Sequence, residues 1–458
     1  MRKRVAVVGG GIAGLAAAVR VRDLAPRATE IIVYEQSGVL GGKLRTGSLA
    51  GLTVERGAES FLMSAPDGDE SAAVRLARRL GLGEALVHPA AVPAAVAGAA
   101  AGAALEPFPA GTLMGIPAAG DNDDDGGVPL LAGGADVAVG ELVRSRFGDD
   151  VVDGLVDPML GGVYAGRADS LSLATTLPGL ATAAREEHTL GAAVRTALRR
   201  AAAARPPGRP IFAAVSGGMS RLVAAAAADS GARISLGLPV REIEPTPHGW
   251  RLLLGPVPAT QTDDVDAVIL AAPARAAARL LAGVDLSAAA AVGVLDYASV
   301  ALAGFALPPG TVLPDLSGFL VPPRRGTLVK AATFLTRKWP HLPQEGAPVI
   351  VRASLGRAGE EAMLQRDDRT LIAIAHAELS DLIGASLPAP IESLVQRWGG
   401  GLPQYAPGHL DRVATARAAL AGRPGLGLAG AAYDGVGIPA CVASGERAAE
   451  DVCKILEG

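Results

Sequence analysis

The strongest constraint on this chain lies near its beginning, where strand, glycine, helix and acid signals follow one another in a fixed order. Val5, Ala6, Val7 and Val8 form a short apolar run rich in β-branched side chains, as a buried parallel strand requires. Gly9, Gly11 and Gly14 follow at G-x-G-x-x-G spacing, with Gly10 between the first two. Leu15 to Leu24 is alanine-rich and reads as a helix, and Glu30 to Tyr34 reads as a second strand ending at Glu35. That acid stands about twenty residues past the last glycine, where a dinucleotide fold places its ribose-binding carboxylate. In such a turn the first glycine permits the tight bend and the second lets the backbone approach a pyrophosphate. The third lets helix and strand pack closely, while the helix N-terminus presents free N–H groups and a positive dipole end. Gly9, Gly10, Gly11, Ile12, Ala13, Gly14, Glu35 and Gln36 are therefore candidate cofactor-binding positions. An acid at position 35 favours an unphosphorylated ribose, hence NAD or FAD over NADP. An ordinary glycine-rich strand-to-helix turn is the plainer alternative, and the ordered series argues against it.

Composition removes several other classes. A chain of 458 residues suggests two or more domains. Half the residues are hydrophobic, but much of that share is alanine and only 3% are aromatic. No stretch reaches the roughly 20 apolar residues that spanning a bilayer needs, and the N-terminus lacks the pattern of a signal peptide. A cytosolic protein is expected, with a peripheral contact to a membrane surface left open. The net charge of -4 and the absence of a basic block argue against nucleic acid as a partner. Cys441 and Cys453 are the two cysteines, too far apart for a Cys-x-x-Cys pair, and the six histidines show no His-x-x-x-His spacing. No disulfide framework, redox dithiol or metal site is expected.

Further along, residues 88–134 are rich in Ala, Gly and Pro and carry the acidic run Asp121, Asp123, Asp124 and Asp125, read as a surface loop. Residues 136–147 and 189–204 have helical composition, the second with Leu190, Val194 and Leu198 at i, i+4, i+8 beside Arg195, Arg199 and Arg200. A packing helix with a solvated arginine face and a membrane-surface helix both fit that pattern. Gly217 to Leu222 opens another alanine-rich helix, followed by short strands at 233–236 and 240–243 and a buried strand at 266–273.

Longer blocks carry a family resemblance. Gly41, Gly42, Lys43, Leu44, Arg45 and Thr46 resemble the second glycine motif of the flavin amine oxidase superfamily, in which the glycine pair and its basic neighbour lie against the diphosphate. Val54 to Phe61 resembles the segment that passes the flavin there, which points to Gly57, Ala58, Glu59 and Ser60. The blocks Pro158 to Gly166, Lys338 to His341, Trp398 to His409 and Gly430 to Cys441 resemble the bacterial coproporphyrinogen III and protoporphyrinogen oxidases. The resemblance runs from residue 4 to the final helix, and its Trp398–His409 and Gly435–Pro439 blocks are the most specific parts.

It implies an α/β chain: a discontinuous, Rossmann-like FAD-binding domain (residues 1–80, 210–275 and 400–458) with an inserted α+β substrate domain. Residues 81–209 would form a helical, membrane-side and substrate subdomain, and 276–399 the substrate-binding domain. It also implies non-covalent FAD, contacted by the Val240 backbone, by Trp398 and by Gly430, Val436, Gly437 and Ile438. Met159, Leu160 and Gly162 match positions lining the substrate cavity, the Gly162 backbone orienting pyrrole N–H groups; as core residues Met159 and Leu160 fit equally well. The implied activity is oxidation of a porphyrinogen, coproporphyrinogen III favoured over protoporphyrinogen IX, by molecular oxygen in haem biosynthesis. Hand-over of the product to the next haem-pathway enzyme is a further implication. The flavin supplies the reactive atom, so no catalytic side chain is expected. Phe61 to Pro66 contains no basic residue where some members pair a substrate carboxylate. An amine oxidase would need more aromatic residues, a carotenoid desaturase a more apolar middle, and a non-catalytic FAD-binding protein none of the later blocks.

Overall fold

The structure is a computed structural model that describes residues 3–98, 100, 102–120, 128–343 and 345–456. The acidic run at 121–125 lies outside them.

The opening sequence folds as its periodicity dictates. Strand Arg4–Val8 is paired in parallel with Glu30–Glu35 on one side and Ala267–Leu270 on the other. Arg233–Leu236 and Leu426–Leu428 complete a five-stranded sheet, also in parallel register. Helix Ile12–Leu24 crosses one face, where helices Ser220–Ser230 and Ile438–Cys453 pack against it. The strands are apolar on both faces because both are covered: Val5, Val7, Ile31 and Val33 join the helices, and Ala6, Val8, Ile32 and Tyr34 face the opposite cluster. That second cluster contains the antiparallel meander Val240–Thr246, Gly249–Leu254 and Gln261–Val265, together with helices Ala274–Leu281 and His409–Leu420.

A seven-stranded sheet forms the second body. Its order is Glu392–Gln404, Asp296–Leu307, Val349–Leu355, Val329–Phe334, Gly318–Leu320, Ala94–Ala97 and Leu105–Pro107. Two expected boundaries shift. The strand Glu392–Gln404 runs past residue 400 because Leu402, Pro403 and Gln404 keep pairing with Ala298, Tyr297 and Asp296. The strands at 94–97 and 105–107 leave the helical segment and extend this sheet.

The helical body holds Val139–Phe147, Asp157–Tyr164, Pro178–Ala184 and Leu190–Ala204 around one apolar cluster. Leu190 and Val194 are fully buried in it. Arg195, Arg199 and Arg200 hydrogen bond to Ala118, Thr196 and Glu186. The helix is thus the packing helix of the two readings. No helix among the described residues is long and apolar enough to cross a membrane.

Candidate active site

The glycine turn is built for an anion. A Cβ at Gly14 would overlap the Gly9 carbonyl oxygen, so the third glycine is required by the close crossing of helix and turn. A Cβ at Gly11 would meet nothing, which leaves open space beside the helix N-terminus. That N-terminus has no side-chain cap and no acid in its first turn, so no side chain competes with an anion for its N–H groups. Glu35 Oε2 accepts from the Gly10 N–H and Oε1 from the Ser37 N–H, each at 2.8 Å, which fixes the carboxylate at the strand end. Gln36 is exposed beside it. The chain from Arg233–Leu236 returns to the same place: Leu238 N–H donates to the Glu35 carbonyl, and half-buried Val240 begins the meander.

The second glycine motif closes over the first. Gly41 N–H donates to the Gly10 carbonyl at 2.8 Å, and Gly42 stays exposed. Lys43 has no carboxylate in salt-bridge range among the described residues, and burial, with only the Cys441 thiol to offset it, lowers its affinity for a proton. A partly enclosed ammonium without a counter-ion, beside an uncapped helix N-terminus, fits a diphosphate. Arg45 is also half-buried. Neither basic residue is freely solvated.

The flavin-side segment is held from three directions. Ala58 N–H donates to the Lys43 carbonyl at 3.1 Å, and a Cβ at Gly57 would overlap that same oxygen. Trp398 Nε1 donates to the Arg56 carbonyl at 2.7 Å, with its ring edge against Gly57. Glu59 is buried between Lys338 and Arg352, both in the second body. Burial alone would raise its carboxyl, but Arg352 first and then Lys338 hold it down to about 2. The Glu59 side chain is therefore committed to two cations, while Ser60 is half-buried beside it.

At the far end, Gly430 N–H donates to Ser444 Oγ at 2.9 Å, and the Ser444 hydroxyl donates to Asp434, which also pairs with Arg417 and Arg447. Val436 is half-buried, Gly437 is exposed, and Ile438 begins the C-terminal helix, whose N-terminus has no side-chain cap. Cys441 in its first turn is buried, which pushes its thiol up to about 11. This end, the glycine turn and Lys43 all gather around helices Ile12–Leu24 and Ile438–Cys453.

On the substrate side, Asp157–Tyr164 follows directly on a π-helical turn, Val152–Val156, a geometry enriched at functional sites. Met159 is half-buried and Gly162 exposed. Leu160 corrects the cavity-lining expectation. Its side chain points into the helical cluster and is fully buried there, because it lies on the face opposite Gly162. The helix ends at Ala165, which packs with Ala298, Val300, Ala358, Leu402 and Trp398. Trp398 thus touches the flavin-side segment and belongs to the same apolar cluster as the end of the substrate-side helix. Sequence reasoning did not foresee Arg352 or the Ser444–Asp434 pair. Arg352 lies 293 positions from Glu59, a separation at which no spacing signal exists.

A family model described as flavin containing amine oxidoreductase matches residues 12–453. This chain belongs to that family. It is 36% identical to a Mycobacterium tuberculosis coproporphyrinogen III oxidase, covering 98% of this chain and 97% of the relative. A Bacillus subtilis coproporphyrinogen III oxidase is 31% identical over 99% of both chains. The chloroplastic protoporphyrinogen oxidase 1 of Arabidopsis thaliana is 26% identical, covering 97% of this chain and 87% of its own. The solved structure of a candidate protoporphyrinogen oxidase from Exiguobacterium superposes with a TM-score of 0.84 at 29% identity, over 99% of both chains. Cyclohexylamine oxidase from Brevibacterium oxydans shares the fold at a TM-score of 0.70 and 16% identity, over 100% of both chains. The protein is a flavin-dependent oxidoreductase, and the α/β reading of the sequence stands.

Proposed function

We propose that this flavoenzyme oxidises coproporphyrinogen III to coproporphyrin III, with FAD bound non-covalently and molecular oxygen as the acceptor. The observation that carries the reading is the end-to-end similarity, at 31–36% identity, to relatives named for that activity. The geometry is consistent with it. Bound flavin would supply the hydride acceptor; the protein supplies binding, orientation and exclusion of water. Gly9 to Gly14 and Lys43 would hold the diphosphate, Glu35 the ribose and the Val240 backbone the adenine. Gly57, Ala58, Ser60 and Trp398 would flank the ring, with Gly430, Val436, Gly437 and Ile438 at its far edge. A flat, wide substrate needs a glycine surface, which exposed Gly162 offers beside Met159. The buried, protonated Cys441 supports non-covalent binding.

Aerobic porphyrin fluorescence with purified protein tests this. A kcat/KM for coproporphyrinogen III well above that for protoporphyrinogen IX is expected. The opposite preference moves the enzyme to the protoporphyrin route, and no fluorescence from either substrate overturns the reading.

A further inference from the structure

Lys330 carries a buried amine that bonds to a carbonyl and not to a carboxylate. It lies on strand Val329–Phe334, is 4% exposed, and directs its ammonium at the Gly161 carbonyl oxygen, 2.9 Å away. Among the described residues no carboxylate stands in salt-bridge range of it. The neighbouring charges are already paired. Glu360 takes Arg167 at 3.0 Å and Arg357 at 3.6 Å, and Asp157 takes the Ala168 N–H at 2.6 Å and Arg167 at 3.4 Å. Arg357 also donates to the carbonyls of Thr327 and Val321. Burying a charge without a counter-ion is costly, so the bond to Gly161 demands a reason.

The bond lands on the helix that carries the substrate-side residues. Gly161 immediately precedes Gly162, where an added Cβ would come within 3.2 Å of the Leu320 side chain. Val321 N–H in turn donates to the Lys330 carbonyl at 2.9 Å. The Gly161–Gly162 step is therefore seated at two points on adjoining strands, by the lysine and by Leu320. A π-helical turn precedes this helix and Ala165 ends it with φ +55°, so its own ladder fixes its height poorly. A cation on one of its last carbonyls also suits the negative end of the helix dipole.

We propose that Lys330 is a positioning residue for the substrate: its ammonium fixes the height of the helix face bearing Met159 and Gly162, and loss of its proton loosens that hold. The inference rests on the porphyrinogen reading for what is positioned, but not for the hold itself. Burial first, and Arg357 second, bring the Lys330 ammonium down to about 7 against a smaller opposing effect of Glu360. The switch therefore falls near neutral pH. A neutral amine donates a weaker hydrogen bond than an ammonium.

Two measurements test it on the full-length, flavin-loaded protein. In the absence of substrate, hydrogen exchange at 157–164 is compared between the wild type and Lys330→Met at pH 6.5. Faster exchange confined to that helix is expected, and unchanged exchange overturns the inference while leaving the proposed function intact. With coproporphyrinogen III, wild-type KM should rise as pH climbs through about 7. Lys330→Met should hold KM about tenfold higher at low pH, with kcat and flavin content near wild type. Should that variant fail to fold, Lys330→Arg, charged at every pH used, should show a pH-independent KM. A Lys330→Arg profile that follows the wild type overturns the switch. A wild type inert to porphyrinogens would sink the proposed function instead, and leaves the exchange result to decide the hold.

Discussion

Glu59 joins the two bodies through a single carboxylate shared by Lys338 and Arg352. Replacing it with glutamine leaves two half-buried cations facing a neutral group, which costs about 2 kcal/mol. Thermal unfolding of Glu59→Gln checks this. The pH dependence has a definite sign. Its folded carboxyl sits near 2, below the ordinary 4.5, so the folded state holds fewer protons than the unfolded chain in that window. The stabilisation is present above about 4.5 and is lost as pH falls towards 2. Acid titration of stability should show this step in the wild type and not in Glu59→Gln. Leu160 gives a contrasting case at the same scale. As a core residue its truncation to alanine should lower stability by about 3 kcal/mol while leaving the KM for a porphyrinogen unchanged. A raised KM with unaltered melting would return it to the cavity wall. The core role of Leu160 was one of two readings the sequence left open, and its partners between Ile116 and Leu198 decide for it. The resemblance placed Glu59 beside the flavin, but its two cations stand hundreds of residues away.

Elements were far more legible than contacts. The glycine turn, the strands at 4–8, 30–35 and 233–236 and the helix at 190–204 follow from local periodicity, which needs no distant partner. The wide sheet was not legible as a sheet. Its strands 94–97 and 105–107 sit in an Ala/Gly/Pro-rich stretch; the first takes its register from Gly318–Leu320 and the second from the first, not from pattern. The contact between helices Ile12–Leu24 and Ile438–Cys453 shows the same dependence. A Cβ at Gly445 would overlap the Ala13 carbonyl oxygen, so the last helix can lie on the first only with glycine there. Gly445→Ala should therefore cost about 1–3 kcal/mol through overpacking. It should also shift the turn that begins at Gly11, lowering the flavin-to-protein ratio measured by absorbance.

At the scale of the whole molecule, polar links fasten the helical body to the rest, and Asp136 gathers several of them. Asp136 accepts from the Ser172 hydroxyl, from the Ala174 N–H at 3.1 Å and from the Gly408 N–H at 2.8 Å. It thus ties the start of the helical body to the loop that follows the wide sheet. Asp136→Ala strands these donors and should cost about 2 kcal/mol. Limited proteolysis should then cut the helical body faster while the five-stranded sheet resists as before. The pairing of helix 12–24 with helix 438–453 also orders events during synthesis. Strands 4–8 and 30–35 and the glycine turn between them are made hundreds of residues before helix 438–453, which packs against helix 12–24. Until residues 438–453 have been made, the face of helix 12–24 that they cover lacks that partner. Any binding step that needs both helices must follow the synthesis of residues 438–453, and until then the chain is the form most exposed to misassembly.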